Sequence, residues 1–322
     1  MFDKVKLNYE WEGGDFSPSL DNLQVAWEGT ERGTGEKRIE GYLNGMRVRV
    51  WPERKRMRIE GSLAKFLFHE NITMLTRETT QEALENLGEA LEIDIGKARV
   101  SSLEFGCNIV TRQEPWVYMK RLGDMPRRER LEYSRNTLYY SRKGREQPDA
   151  LKIYDKGREA KQKRNKGMQI PKEMQGKHIL RFELALNSRL RQQLGVHEVT
   201  ASSLYSCELW EKLKAMLLEK YKSIQKLNMG EMKLKNKTEK GIIDGFFCFF
   251  AHKTGAEVSS IMEEYFAVVK AAQVLKNRSG YSKAKSALKR KMISARFLEK
   301  DSLIEELDKA FSEQCEKQNS LY

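Results

Sequence analysis

Tyr154 stands between Lys152 and Lys156 in the segment Ala150-Leu-Lys-Ile-Tyr-Asp-Lys156. Side chains alternate faces along a strand, so these three share one face and Leu151 and Ile153 the other. A tyrosine, with a pKa of about 10, acts as a nucleophile only beside a cation or base that favours the phenolate. Lys156 is placed to supply that field or to neutralise a phosphate. Three further segments set a glutamate against an apolar row. Glu60 shares its face with Arg58, opposite Met57 and Ile59. Glu104 and Asn108 oppose Leu103, Phe105, Cys107 and Ile109, and Glu183 with Arg181 opposes Leu180, Phe182, Leu184 and Leu186. Carboxylate oxygens suit Mg2+ or Mn2+, which keep open positions for phosphate oxygens. If these strands lie in one sheet, its open face carries the inventory expected of a metal-dependent site for cutting a phosphodiester with a tyrosine. Taken singly, each has a simpler account: a glutamate paired with Arg58 or Arg181, a tyrosine on a strand edge.

Other chemistries find little support. His69, His178, His197 and His252 form no His-x-His pair, and only His178 lies near one of the acids in sequence. Cys107, Cys207, Cys248 and Cys315 are far apart and form no CxxC motif. Reduced thiols, three of them in apolar surroundings, and a cytoplasmic protein without structural zinc are expected. The glycine-rich stretches lack a following Gly-Lys-Ser/Thr, so a nucleotide-binding loop is not indicated. The longest apolar run, Ile242 to Ala251, contains Asp244 and is too short to span a bilayer. The opening Met1-Phe-Asp-Lys-Val-Lys reads as a strand-like alternation, so a signal peptide is not expected there.

The elements that must carry these side chains follow from periodicity. Strands are expected over Val5–Trp11, Leu23–Trp27, Tyr42–Trp51 and Met57–Glu60, with glycine breaks between them. A short helix over Ser62–Phe68 and a longer one over Thr76–Leu91, capped by Thr76 or Thr79, come next. Strand Ala98–Val110, a helix from Pro115, strands Thr137–Ser141 and Ala150–Lys156, a polar helix from Gly157 and strand His178–Leu186 complete the set. The pattern is α+β: a largely antiparallel sheet with flanking helices over residues 1–226, a linker at 227–241 and an all-helical unit at 242–322. No sequence repeat is visible.

Net charge is +13 over 322 residues, which favours a polyanionic partner. Residues 119–166 hold sixteen Lys/Arg against seven Asp/Glu, and residues 270–296 hold nine Lys/Arg and no acid. Such blocks give salt-dependent binding to nucleic acid. Lys152, Arg142, Lys143, Arg58, Lys65 and Arg181 are the expected DNA contacts of the sheet domain. Lys283, Lys285, Lys289 and Arg290 are those of the helical domain.

The motif order resembles the replication initiators of the phage and plasmid gene II/X group, typified by the gene II protein of filamentous phages and related to the rolling-circle Rep nucleases. The resemblance rests on Phe2-Asp-Lys-Val-Lys-Leu, Arg58-Ile-Glu-Gly-Ser-Leu-Ala-Lys65, Val100-Ser-Ser-Leu-Glu104, Leu151-Lys-Ile-Tyr-Asp-Lys156 and Leu180-Arg-Phe-Glu-Leu184, in that order. It implies that Tyr154 nicks DNA with Lys156 as partner, and that Glu104, Glu183 and Glu60 stand where the family carries acids. Where the family usually has Asp after a basic residue, this chain has Glu104 after Ser102-Leu103. The His-hydrophobic-His motif of the wider superfamily is missing, which leaves metal binding to carboxylates. The implied function is nicking of a melted origin strand, with a 5′-phosphotyrosyl intermediate and a free 3′-OH for host polymerase and helicase. A mobilisation relaxase and a non-catalytic DNA-binding regulator are the alternatives.

Overall fold

The computed structural model describes residues 2–12, 18–31, 33–134, 136–144, 147–164, 170–227, 243, 246–247, 249–251, 254, 258–272, 278–292 and 301–316. The first strand, β1 (Phe2–Glu10), is followed by β2 (Gln24–Thr30), β3 (Lys37–Leu43), β4 (Met46–Trp51) and β5 (Arg56–Ser62). The span Tyr42–Trp51, expected as one strand, is instead a hairpin between β3 and β4. Asn44 and Gly45 both take positive φ, 45° and 84°, the condition for a tight two-residue turn that matches strand twist. Ser62 ends β5 and caps α1 (Leu63–Phe68) by accepting from the Lys65 N–H. Thr76 and Thr79 form a reciprocal capping box on α2 (Arg77–Leu91), whose Ala83, Leu84, Leu87 and Leu91 are buried.

The chain then repeats this plan. Strand β6 (Arg99–Thr111) leads through the short α3 (Pro115–Met119) to β7 (Glu129–Tyr133), β8 (Thr137–Ser141) and β9 (Asp149–Asp155). Helix α4 (Lys156–Arg164) precedes β10 (His178–Leu186), and α5 (Leu190–Leu194) and α6 (Cys207–Ser223) follow it. The polar β7 has too few apolar residues to show as a strand in the sequence. All ten strands form one antiparallel sheet in the order β2-β3-β4-β5-β1-β6-β10-β9-β8-β7. Strands β1 and β6 lie side by side at its centre. Each is flanked by the last strand of the four that follow it, and each set of five is followed by a short and then a long helix. The sheet is thus two similar halves about a pseudo-twofold axis between β1 and β6.

One face of the sheet carries the core. Phe2, Phe105 and Trp210 meet edge to face, with ring centroids 5.2–5.6 Å apart. Beyond the sheet-and-helix unit lie α7 (Val258–Ala271), α8 (Arg278–Met292) and α9 (Ser302–Glu316). Residues 302–316, expected within the second domain, pack on the first. Phe311, fully buried, stacks on Tyr221 at 4.1 Å and meets Phe182 edge-on at 5.0 Å. Arg121 ties the start of α9 to the sheet unit through Asp301 at 2.7 Å. The expected linker from residue 228 onward, Cys248 and His252 lie outside the described residues. Among the described residues no helix is long and apolar enough to cross a membrane.

Candidate active site

Three carboxylates converge on the polar face at the centre of the sheet: Asp3 on β1, Glu104 on β6 and Glu183 on β10. One oxygen of each lies within 4.8 Å of the others. Strand register explains the meeting. Glu183 pairs with Gly106 on one side and Lys152 on the other, and Glu104 with Ala185. Gly106 is required there, because a Cβ would come within 2.1 Å of the Phe182 carbonyl oxygen and 3.0 Å of the Glu183 Cα. Asp3 joins the group through an irregularity in β1, where the three-residue step from Phe2 to Val5 faces the two-residue step from Phe105 to Leu103. The bulge lets Phe2 and Val5 both enter the core while Asp3 turns to the other face.

Tyr154 lies on the neighbouring strand, opposite Arg181. Its hydroxyl donates to Glu183 Oε1 at 2.8 Å. Lys152 Nζ is 3.3 Å from the other oxygen, Oε2, which accepts no well-aligned hydrogen bond although buried. Lys152 also sits over the Tyr154 ring, 4.7 Å from its centroid. Burial pushes the Tyr154 phenol well above its usual pKa; the Arg181 charge opposes this and the Glu183 charge adds to it. Burial, and then the charge of Glu183, raise Glu104. For Asp3, burial opposes ionisation, but Arg181, Ser62, Lys156 and Asn71 together outweigh it and lower the pKa to about 2.

Two residues expected at the surface are inside. Arg181, assigned to DNA from sequence, is 1% exposed. Its guanidinium lies 3.5 Å from Asp3 and 3.3 Å from Glu183 and donates to the Asn71 carbonyl at 2.8 Å. It therefore offsets the acids rather than meeting a phosphate. Lys156 does not continue the strand: β9 ends at Asp155 and Lys156 starts α4. Its ammonium is wholly buried and donates to Asn71 Oδ1 at 2.7 Å and Glu159 at 2.6 Å. Burial lowers its pKa to about 8, and Arg181 adds to the effect. Asn71 in turn donates to Asp3 at 2.9 Å. The segment after α1 thus roofs this end of the face, pinned also by Asn108, which donates to the Ile72 carbonyl at 2.6 Å.

Glu60 stands apart from the three acids, half-exposed and 3.7 Å from Lys6. His178 is exposed at the start of β10, on the opposite alternation from Glu183. Arg142 is open to solvent on its side chain and 3.7 Å from Asp149, and Lys143 is exposed. Arg58 donates to Asn8 at 3.1 Å, and Lys65 is half-buried on α1. Part of the basic 119–166 block is structural: Arg121 holds Asp301, and Arg128 holds Asp149. On α8, Lys283 and Arg290 are exposed, Lys285 pairs with Glu263, and Lys289 reaches Asp124 at 3.0 Å. Sequence reasoning missed Asp3 and Asn71. Asp3 stands in the opening Phe2-Asp-Lys-Val motif, but strict alternation hides a residue that reaches its face through a bulge.

Carboxylate oxygens from three strands, one of them buried without a well-aligned donor, fit a hard divalent cation. The family model for the N-terminal part of the phage gene II replication-associated protein matches residues 15–205. The chain belongs to this family. It is a phage replication-associated protein, and the match includes Glu60, Glu104, Tyr154 and Glu183 while Asp3 precedes it and α7–α9 follow it. A comparison with curated proteins finds no match.

Proposed function

We propose that the protein initiates rolling-circle replication by nicking one strand of an origin with Tyr154. The observation that carries this reading is the 2.8 Å hydrogen bond from the Tyr154 hydroxyl to Glu183, inside the three-carboxylate cluster. The phenol oxygen attacks phosphorus in line, the P–O3′ bond breaks, and a 5′-phosphotyrosyl link and a 3′-OH result. The phenol proton passes to Glu183 Oε1, which already accepts it in a hydrogen bond, and the departing 3′ oxygen takes a proton from solvent. Lys152, partly exposed beside Glu183, offsets charge on the phosphoryl oxygens. Asp3, Glu104 and Glu183 would hold Mg2+ or Mn2+, which when bound polarises the scissile phosphate. Arg181 and Asn71 keep the acids in place from behind. The reaction exchanges one phosphodiester for another, so the same groups rejoin ends without ATP, and the 3′-OH serves a host polymerase with a helicase ahead of it.

A nicking assay on supercoiled DNA carrying the element's own intergenic region tests this. Relaxation with a covalent protein–DNA adduct is expected from the native protein and from Tyr139→Phe, and neither from Tyr154→Phe. An adduct in Tyr154→Phe would overturn the assignment.

A further inference from the structure

The pseudo-twofold relation between the halves sets β1 against β6, β4 against β9 and β5 against β10. The registers then match residue by residue. In the catalytic half, Tyr139 pairs with Lys152, Lys152 with Glu183 and Glu183 with Gly106. In the other half, Tyr42 pairs with Arg47, Arg47 with Glu60 and Glu60 with Lys6. One step along, Arg181 opposes Asn108, and Arg58 opposes Asn8. The first half therefore repeats the catalytic half's tyrosine, cation, glutamate, arginine and asparagine. It differs where chemistry needs particular groups. Arg49, paired with Arg58, occupies the place of Tyr154, paired with Arg181. Lys4 and Lys6 correspond to Glu104 and Gly106.

The exchanges turn a face of acids and a phenol into one of cations, and it is also open. Tyr42 is 42% exposed and Trp27 is 38% exposed. Trp27 lies over Gly29, where a Cβ would sit 3.1 Å from its ring, and the Arg38 guanidinium carbon stands 4.7 Å from the ring centroid. Glu40 holds Arg47 and Arg49 in place. Burial works against its charge, but the two arginines outweigh burial and keep its carboxyl below the usual range. Fixed aromatic platforms interleaved with arginines suit bases on the rings and phosphates on the guanidiniums, as in single-strand binders.

We propose that the polar face of β2–β5 is a second, non-catalytic site that binds single-stranded DNA. Bases stack on Trp27 and Tyr42, and phosphates lie on Arg47, Arg49 and Arg58. The site rests on the origin-nicking reading only for its role, which is to hold the strand that runs on to Tyr154. Binding is measured by fluorescence anisotropy with dye-labelled oligothymidylate and a dye-labelled duplex, in a Tyr154→Phe background so that no adduct contributes. Trp27→Ala with Tyr42→Ala is expected to weaken oligothymidylate binding about tenfold or more, since each stacked base contributes on that order, and duplex binding by less than about twofold. Arg47→Gln alone is expected to flatten the salt dependence of oligothymidylate binding. Both aromatics are exposed, so an unchanged circular dichroism melt accompanies the expected result. Unchanged oligothymidylate affinity, or an equal loss on both ligands, overturns the proposal. Selective loss together with a native protein that never nicks would leave this site standing and remove the nicking reading. Nicking without selective loss would do the reverse.

Discussion

Tyr154→Phe removes one hydroxyl and its hydrogen bond to Glu183 while keeping the ring. Nicking and adduct formation should vanish, while DNA affinity in a filter-binding or anisotropy assay stays within about twofold. The buried Glu183 loses a donor, so thermal stability should fall by about 1.5–3 kcal/mol, the range for hydrogen bonds to charged groups. Asp3→Asn tests the third acid: divalent-ion binding, read by calorimetric titration, should weaken at least tenfold. Asp3 also gives a pH signature. Its folded pKa, about 2, lies below its ordinary value of 3.8, so its contribution is present above the higher value and is lost as pH falls through the lower. That shift corresponds to roughly 2 kcal/mol. Acid unfolding of the native chain between about pH 4 and pH 2 should therefore be steeper than that of Asp3→Asn. Glu104 shifts the other way, raised by burial and then by Glu183, so lowering pH should weaken the proposed ion binding before ordinary surface glutamates titrate. Tyr154, Glu104 and Glu183 were legible because alternation fixes their face. Asp3, Asn71 and the burial of Arg181 and Lys156 were not, because a bulge, a loop and a strand-to-helix change decide them.

Elements hold these groups through close backbone approach. Gly106→Ala would set a methyl group 2.1 Å from the Phe182 carbonyl, forcing β6 and β10 apart where Glu183 is carried. The variant should lose nicking with its DNA affinity retained, or lose about 1–3 kcal/mol of stability as overpacked sites do, read by urea denaturation. Helix α9 provides a second case. Phe311→Ala leaves a hole beside Tyr221 and Phe182 and should cost about 3–5 kcal/mol. Charge and helical period alone placed this segment with the C-terminal helices. Its apolar stripe of Leu307, Phe311 and Cys315 belongs to the sheet's core, and periodicity does not say which partner an amphipathic helix meets. The β3–β4 hairpin reads as one strand for a related reason: its two-residue turn interrupts the apolar pattern too briefly to break it.

At the scale of the molecule, the two halves of one sheet present different groups, one acids and a tyrosine, the other arginines and aromatics. The α+β class and the helical C-terminal region were legible from composition and period. The duplication was not, since its matching residues line up only through strand order and register and not along the sequence. Helix α8 adds a separate cationic surface. Substituting Lys285, Lys289 and Arg290 together by Gln should weaken duplex binding and lower the slope of log affinity against log salt by up to about three. Pairing of Lys285 with Glu263 and of Lys289 with Asp124 makes a smaller change the expected one. Whether Tyr154 is the bond-forming residue is the central question. Mass spectrometry of the proteolysed covalent complex, formed on the element's own intergenic DNA, tests it most directly. The expected product is a nucleotide joined through a 5′-phosphate to the peptide containing Tyr154. A nucleotide on any other residue, Tyr139 included, would contradict the assignment.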